Sequence, residues 1–289
     1  MAIRDVSEVE TIAGSFNSGL DHPEGITWGP DDNIYAGGEN GQIYRVNPTN
    51  GHFSEIARHE GFMAGVACDS KANVYACALH SGSVVRTNAD GSVLHVTRGT
   101  PECPMTTPNY PCFHPSGSLY VSDSGEWGES AGRIYRVRPD GTTDLVSESP
   151  RYFANGMCFD ADAKWLYIVE TQMPGVSRLR VSNDGTLGER QIVATLPGDA
   201  PDGVQMDISG RLFISLYTPS RLYQLEPDGR IQILVEDIHH SQIASPTNIV
   251  FGGKQRTDLF MANLGRWHIN RIGMTTAGLA LHYPPPIAV

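Results

Sequence analysis

The chain has 289 residues with 32 acidic and 21 basic side chains, a net charge of −11, and the two signs are interspersed. That leaves no basic stripe for nucleic acid and no Lys/Arg cluster for anionic lipid, and no run of about 18 apolar residues suggests a membrane span. The start, MAIRDVSEVETIAGSF, lacks a secretion signal, and the cysteines (Cys68, Cys77, Cys103, Cys112, Cys158) are odd in number without a CxxC, so free thiols in a reducing, cytoplasmic compartment are expected rather than disulfides or thiolate zinc.

No Ser/Pro-rich linker interrupts the chain, so residues 1–289 read as one domain. In chain order, Glu8 to Ala13 is a short strand with no neighbour to pair with. A unit then recurs six times: HPEGITWGPDDNIYAGGENGQIYRV, FMAGVACDSKANVYACALHSGSVVRT, TPNYPCFHPSGSLYVSDSG, FANGMCFDADAKWLYIVET, APDGVQMDISGRLFISLY and SPTNIVFGGKQRTDLFMANLG. One position aligns Glu24, Ala64, Asn109, Asn155, Asp202 and Asn248, at spacings of 40 to 47 residues. A period of that size with strand-like content points to propeller blades.

Within a unit, a short apolar strand is followed by an Asp/Gly/Ser turn and an aromatic-led strand such as NIYAG or RLFIS. A third strand (QIYRV, RIYRV, RLYQL), a tight turn and a fourth strand complete a four-stranded antiparallel meander. Long helical periodicity is absent, so the expected fold is all-β, a six-bladed β-propeller. The sixth unit offers strands near 247–251, 258–262 and 267–272, and its Pro-rich tail is a poor fourth strand. Glu8 to Ala13 fits the vacancy and would close the ring.

Antiparallel order places the turns between second and third strands on the face of the aligned residues. Those turns carry His80, Asp123, Glu126, Trp127, Glu170, Gln172, Met173, Tyr217, Arg266, Trp267 and His268. The outer turns Pro139-Asp140-Gly141 and Pro227-Asp228-Gly229 belong to the opposite face.

Closing the ring would bring the aligned oxygens together on its axis. Glu24, Asn155 and Asp202 supply two carboxylates and an amide, with Asn109 and Asn248 adjacent. Hard divalent cations take such ligands, which makes calcium the first expectation, with magnesium, manganese or zinc as alternatives. Asn-Gly and Asp-Gly are also ordinary turn dipeptides. Position separates the two readings: Asp202 precedes an inner strand, Asp140 and Asp228 outer ones. Asp202 is expected to act as general base in hydrolysis of a lactone or related ester, because a carboxylate can touch both a metal and a water. Asn109, Asn248, Asp123, Glu126, Trp127, Glu170 and Tyr217 are the expected contacts to a small-molecule substrate. No GxSxG elbow supports a serine hydrolase.

Through HPEG, TPN, FANG with LYIVET, and PDG, in that order, the chain resembles the family of SMP-30 (regucalcin), gluconolactonases and related lactonases. The resemblance implies a six-bladed propeller with one divalent cation, Glu24, Asn155 and Asp202 as ligands, Asn109 at substrate or metal-bound water, and Asp202 as base. Members acting on sugar lactones often carry Arg two residues before the third-blade Asn, where this chain has Thr107. FANG with LYIVET is also similar to strictosidine-synthase-like propellers, so a non-hydrolytic propeller enzyme and a non-catalytic calcium-binding propeller stand as the alternatives.

Overall fold

The computed structural model describes residues 2–15 and 18–289, and apart from one short 3-10 turn at Val6–Glu8 their regular structure is β. Six four-stranded antiparallel sheets form a six-bladed β-propeller. Five blades follow chain order, over residues 26–58, 63–97, 108–147, 154–195 and 200–236. In the sixth, the strands Pro246–Gly252, Asp258–Asn263 and His268–Gly273 are completed by Glu10–Gly14, whose Glu10 faces Arg271 and whose Gly14 faces His268. The ring is thus closed by its two ends, which removes the exposed edges that an open sheet would present.

The aromatic residue leading each second strand explains how neighbouring blades adhere. Tyr75 meets Phe113 of the next blade edge-on at 5.1 Å, and Tyr120 meets Phe159 at 5.4 Å. Phe213 meets Phe251 at 5.4 Å, and Phe260 stacks on Trp28 across the closing seam at 5.6 Å. All four leading rings are fully buried or nearly so. Such pairs contribute about 0.5–1.5 kcal/mol each beyond area burial.

The inner strands share an irregularity that aims their side chains. Four residues of the fourth inner strand (Ala154 to Met157) face only three of its partner (Glu170 to Ile168). The same extra residue occurs in the second, fifth and sixth blades between Met63 and Val66, Pro201 and Val204, and Pro246 and Ile249, and the third has one between Pro108 and Tyr110. A bulge turns a side chain out of strict alternation. Here it falls at the repeat-equivalent position each time.

The glycine after that position has a packing reason. A Cβ on Gly156 would lie 2.7 Å from the Asp202 carbonyl oxygen, and one on Gly25 would lie 2.2 Å from that of Ala64. On Gly203 it would meet the Thr247 carbonyl at 2.8 Å. Asn-Gly and Pro-Asp-Gly at 155–156 and 201–203 are therefore strand residues where adjacent inner strands touch. The outer Pro-Asp-Gly tripeptides are true turns, with Gly141 at φ 86° and Gly229 at φ 89°, where Asp140 and Asp228 accept from the backbone of Thr142 and Arg230.

Beyond the sixth blade the Pro-rich tail forms no strand and crosses the far face. It bonds to blade five through Leu279 N to Met206 O (2.9 Å), to blade two through Ser70 N to Pro284 O (2.8 Å), and to blade three through Ala288 N to Pro139 O (3.0 Å). Among the described residues no helix is long and apolar enough to cross a membrane.

Candidate metal centre

Glu24, Asn109, Asn155, Asp202 and Asn248 all have 8% exposure or less. Buried polar oxygens are almost always hydrogen-bonded. Yet Glu24 Oε2, Asn109 Oδ1, Asn155 Oδ1 and Asp202 Oδ1 have no hydrogen-bond partner, and together they make four of the six such atoms among the described residues. Four orphaned oxygens from four blades, acceptors only, are a donor set that a hard cation satisfies and that neutral protein groups do not. The fifth aligned polar residue, Asn248, is oriented differently: its amide nitrogen donates to Glu24 Oε1 at 3.4 Å.

Hydroxyl groups hold these residues from behind. Asn155 Nδ2 donates to Thr171 Oγ1 (3.2 Å), and Thr171 donates onward to the Pro201 carbonyl (2.8 Å), which leaves the Asn155 oxygen for the channel. Ser122 donates to the Asn155 carbonyl at 2.9 Å, and Thr247 to that of Glu24 at 2.8 Å. Ser215 bridges Gly203 N and the Thr247 carbonyl. The bonds from Ser122, Thr171, Ser215 and Thr247 to the carbonyls of Asn155, Pro201, Thr247 and Glu24 each tie one blade to the next, so the ring that positions the oxygens is stapled at their own level. His22 and Phe153, both two residues before an aligned residue, have φ of 39° and 60°, left-handed values that non-glycine residues rarely adopt.

The electrostatics point the same way. Burial pushes the Glu24 carboxyl well above the usual carboxylate range, and the Asp202 charge adds to the rise. Burial also raises Asp202, with the Asn155 amide offsetting part of the shift. Two buried carboxylates, one raised by the charge of the other, ionise together less readily without a counter-charge.

The other expected site residues divide. Trp127 (68% exposed, its ring 4.9 Å from Phe153) and Tyr217 (45% exposed) stand open on the rim of the same face, beside exposed Glu126. Asp123 and Glu170 are fully buried and engaged by the protein. Asp123 accepts from the backbone of Thr107 (2.6 Å) and Thr106, and burial nonetheless holds its pKa above the ordinary value. Glu170 accepts from Ser177 and Arg190, both at 2.5 Å, and from the backbone of Tyr152. His80 and Asn263 accept in the same way from Phe62 N and Ala244 N. These four form a recurrent latch between the second strand and the loop entering the inner strand, and Asp123 and Glu170 are the two of them expected at the substrate. His268 is 4% exposed, bonded to the Gln242 carbonyl at 2.6 Å, and lowered in pKa by burial.

A second acidic group, Asp21, His22 and Glu39, gathers at the surface, with His22 Nδ1 at 2.6 and 2.8 Å from the two carboxylates. Asp21 also accepts from Asn40 and Gln42, so a bridging imidazole and two amides already account for the cluster. Thr171, Ser122, Thr247 and Ser215 went unnoticed in the sequence. Their signal was available in hindsight as a hydroxyl residue next to the latch or within the strand preceding it.

A sequence model described as SMP-30/Gluconolactonase/LRE-like region matches residues 22–264. The chain belongs to that family. It is 28% identical over 139 residues to a 6-deoxy-6-sulfogluconolactonase of Pseudomonas putida, covering 46% of this chain and 45% of the relative. It is 23% identical over 236 residues to lactonase drp35 of Staphylococcus aureus, covering 74% and 70%. The chain thus spans about half the length of the first of these relatives. Regucalcin of Agrobacterium tumefaciens, described as a calcium-binding protein, superposes with a TM-score of 0.74 at 18% identity over 97% of this chain and 100% of its own. At that identity the likeness is one of fold.

Proposed function

We propose that this family member is a metal-dependent lactonase, with Glu24, Asn155 and Asp202 holding one divalent cation, calcium first, at the axis. The observation that carries the reading is the set of four orphaned buried oxygens at repeat-equivalent positions. Membership in a family with named lactonases supports the reaction class. When bound, the cation supplies a positive charge that polarises a substrate carbonyl and lowers the pKa of a neighbouring water.

Asp202 then takes a proton from the attacking water as its oxygen bonds to the lactone carbonyl carbon. Collapse of the tetrahedral species breaks the ring carbon–oxygen bond, and the departing alkoxide takes the proton that Asp202 removed from the water, which gives the hydroxy acid and restores the Asp202 carboxylate. Asn109, with its unpaired amide oxygen beside the two carboxylates, orients substrate or water. Asn248 holds Glu24 in place through its amide. Glu126, Trp127 and Tyr217 line the approach, and with Thr107 where sugar-lactone enzymes often carry Arg, this rim suits a substrate less rich in hydroxyls than an aldonolactone.

The test is hydrolysis of a panel of aliphatic, aromatic and sugar lactones by the wild type and Asp202→Asn, each with calcium and with chelator. Turnover only by the calcium-loaded wild type is expected. Equal turnover in all four arms refutes the mechanism, and calcium binding without turnover on any lactone refutes the activity.

A further inference from the structure

At the far end of the channel, away from the candidate metal centre, lies a cavity of about 290 Å³. Its origin is again the repeat. Three residues beyond the aligned position, past the bulge, stand Thr27, Ala67, Cys112, Cys158, Gln205 and Phe251. The first five line the cavity, and four of them are small. Six large residues would have filled this level of the ring; here the core is hollow, and the tail residues Leu279 to Tyr283 close it from below.

Most of the wall is apolar, with Val66, Pro111, Phe113, Met157, Phe159 and Met206 among its members. The polar features concentrate at one place. Gln205 is 7% exposed and donates its amide nitrogen to the Tyr110 hydroxyl at 3.4 Å, and Tyr110 is 5% exposed. No other described group engages the Tyr110 proton or the Gln205 carbonyl oxygen. One donor and one acceptor, on residues that are nine-tenths buried, are therefore left to a ligand in the hollow.

The charged groups on the lining are hydrogen-bonded to the backbone. Arg256 donates to the Gly278 carbonyl at 3.0 Å, and Asp160 accepts from the backbone of Lys164 and Trp165 at 2.7 and 2.9 Å. Their charges are of opposite sign, and the half-buried His282 is held below the usual imidazole pKa by burial. With one cation and one anion on the lining, the cavity carries no net charge to recruit an ion. Three cysteines also line the space, but among the described residues they do not converge with His282 or Asp160 as metal ligands do.

We infer that this cavity is a second small-molecule site, for an uncharged, largely hydrocarbon compound bearing one hydroxyl or carbonyl group that pairs with Tyr110 and Gln205. At organic packing density the space suits on the order of ten non-hydrogen atoms, the size of a medium-chain alcohol or an alkylphenol. Entry is provided by the strap. Leu279 N and the Tyr283 hydroxyl are bonded to Met206 and Trp28, whereas among the described residues the backbone of residues 280–282 between them makes no hydrogen bond to the blades. The proposal stands apart from the lactonase reading, because it uses the opposite mouth of the channel and none of the proposed metal ligands.

Titration calorimetry of the intact protein with 1-octanol tests it, with sodium octanoate as the charged counterpart. Saturable octanol binding is expected, weakened at least tenfold by Ala67→Leu and by Cys112→Leu, each of which fills the hollow. Gln205→Leu should weaken octanol binding in a protein of unchanged melting temperature. Asp202→Asn should leave octanol binding intact. No saturable binding up to the solubility of octanol overturns the site. Binding that survives both filling variants, or that disappears in Asp202→Asn, places the ligand elsewhere and also overturns it. Equal affinity for octanoate refutes the assignment to uncharged ligands.

Discussion

Glu24 and Asp202 bury their carboxylates in one channel, and the charge of Asp202 adds to the burial that raises the pKa of Glu24. Since both groups are raised, folding without a cation favours their protonated forms. Stability from this source is fully present below the unfolded carboxylate pKa of about 4 and is lost as pH rises through the raised folded values. Melting temperature in chelator should accordingly fall as pH climbs above the ordinary carboxylate range. Calcium should abolish the fall, adding about 2.7 kcal/mol at a hundredfold excess over Kd. A flat or rising profile in chelator would contradict the coupling.

Glu24→Gln removes one of the two competing charges while keeping shape. Calcium affinity should drop, and melting temperature in chelator at neutral pH should hold or rise. Calorimetric titration with calcium beside thermal melts separates these effects. A lower melting temperature in chelator would make Glu24 a structural residue instead.

Thr171 touches no channel ligand set directly except through the Asn155 amide nitrogen, and it also donates to Pro201. Thr171→Val keeps volume and removes the hydroxyl, so Asn155 is free to turn. Loss of such a supporting bond typically costs about 10–100-fold in metal affinity. Stability should fall by about 1–3 kcal/mol, the cost of leaving a buried acceptor unmet. Serine at this position should restore much of both.

The two kinds of glycine after Asn or Asp give opposite readouts. Gly156→Ala forces a Cβ against the Asp202 backbone and should cost about 1–3 kcal/mol while displacing a proposed metal ligand. Gly229→Ala meets no neighbour, and its left-handed φ of 89° should cost about 1–2 kcal/mol with calcium affinity untouched. Denaturant melts and calcium titrations of both variants make the comparison.

Glu170 and Arg190 form an ion pair at 2.5 Å with the carboxylate fully buried. Arg190→Met strands that charge, and about 3–5 kcal/mol of stability should be lost. Urea unfolding measures it. If Glu170 were instead reserved for substrate, Arg190→Met would leave stability nearly unchanged and alter KM.

The blades were legible because each unit carries its own turns and an aromatic-led second strand, and because Glu8–Ala13 had no other partner. The axial residues were legible because the period aligned them. What sequence did not reveal was anything that depends on register. The bulges at Asn155 and Asp202 are invisible until the partner strand is known, and without them Asn-Gly and Pro-Asp-Gly look like turns. Asp123 and Glu170 sit in the expected turns, but only the folded chain shows their partners, the backbone of Thr106 and Thr107 for Asp123 and Arg190, Ser177 and the Tyr152 backbone for Glu170. The hollow beneath Tyr110 depends on five small or polar side chains from five blades, and no local pattern announces it.

The pairing of Glu10–Gly14 with His268–Gly273 has a consequence for the order in which the molecule is made. Glu10 and Arg271 are 261 residues apart in sequence, and until the later strand emerges from the ribosome the earlier one has no place in any sheet. Five blades can assemble as they are synthesised; the sixth cannot. A nascent chain halted before residue 268 is therefore an arc with two unprotected edges, and premature termination near the end should yield aggregation rather than a smaller soluble product.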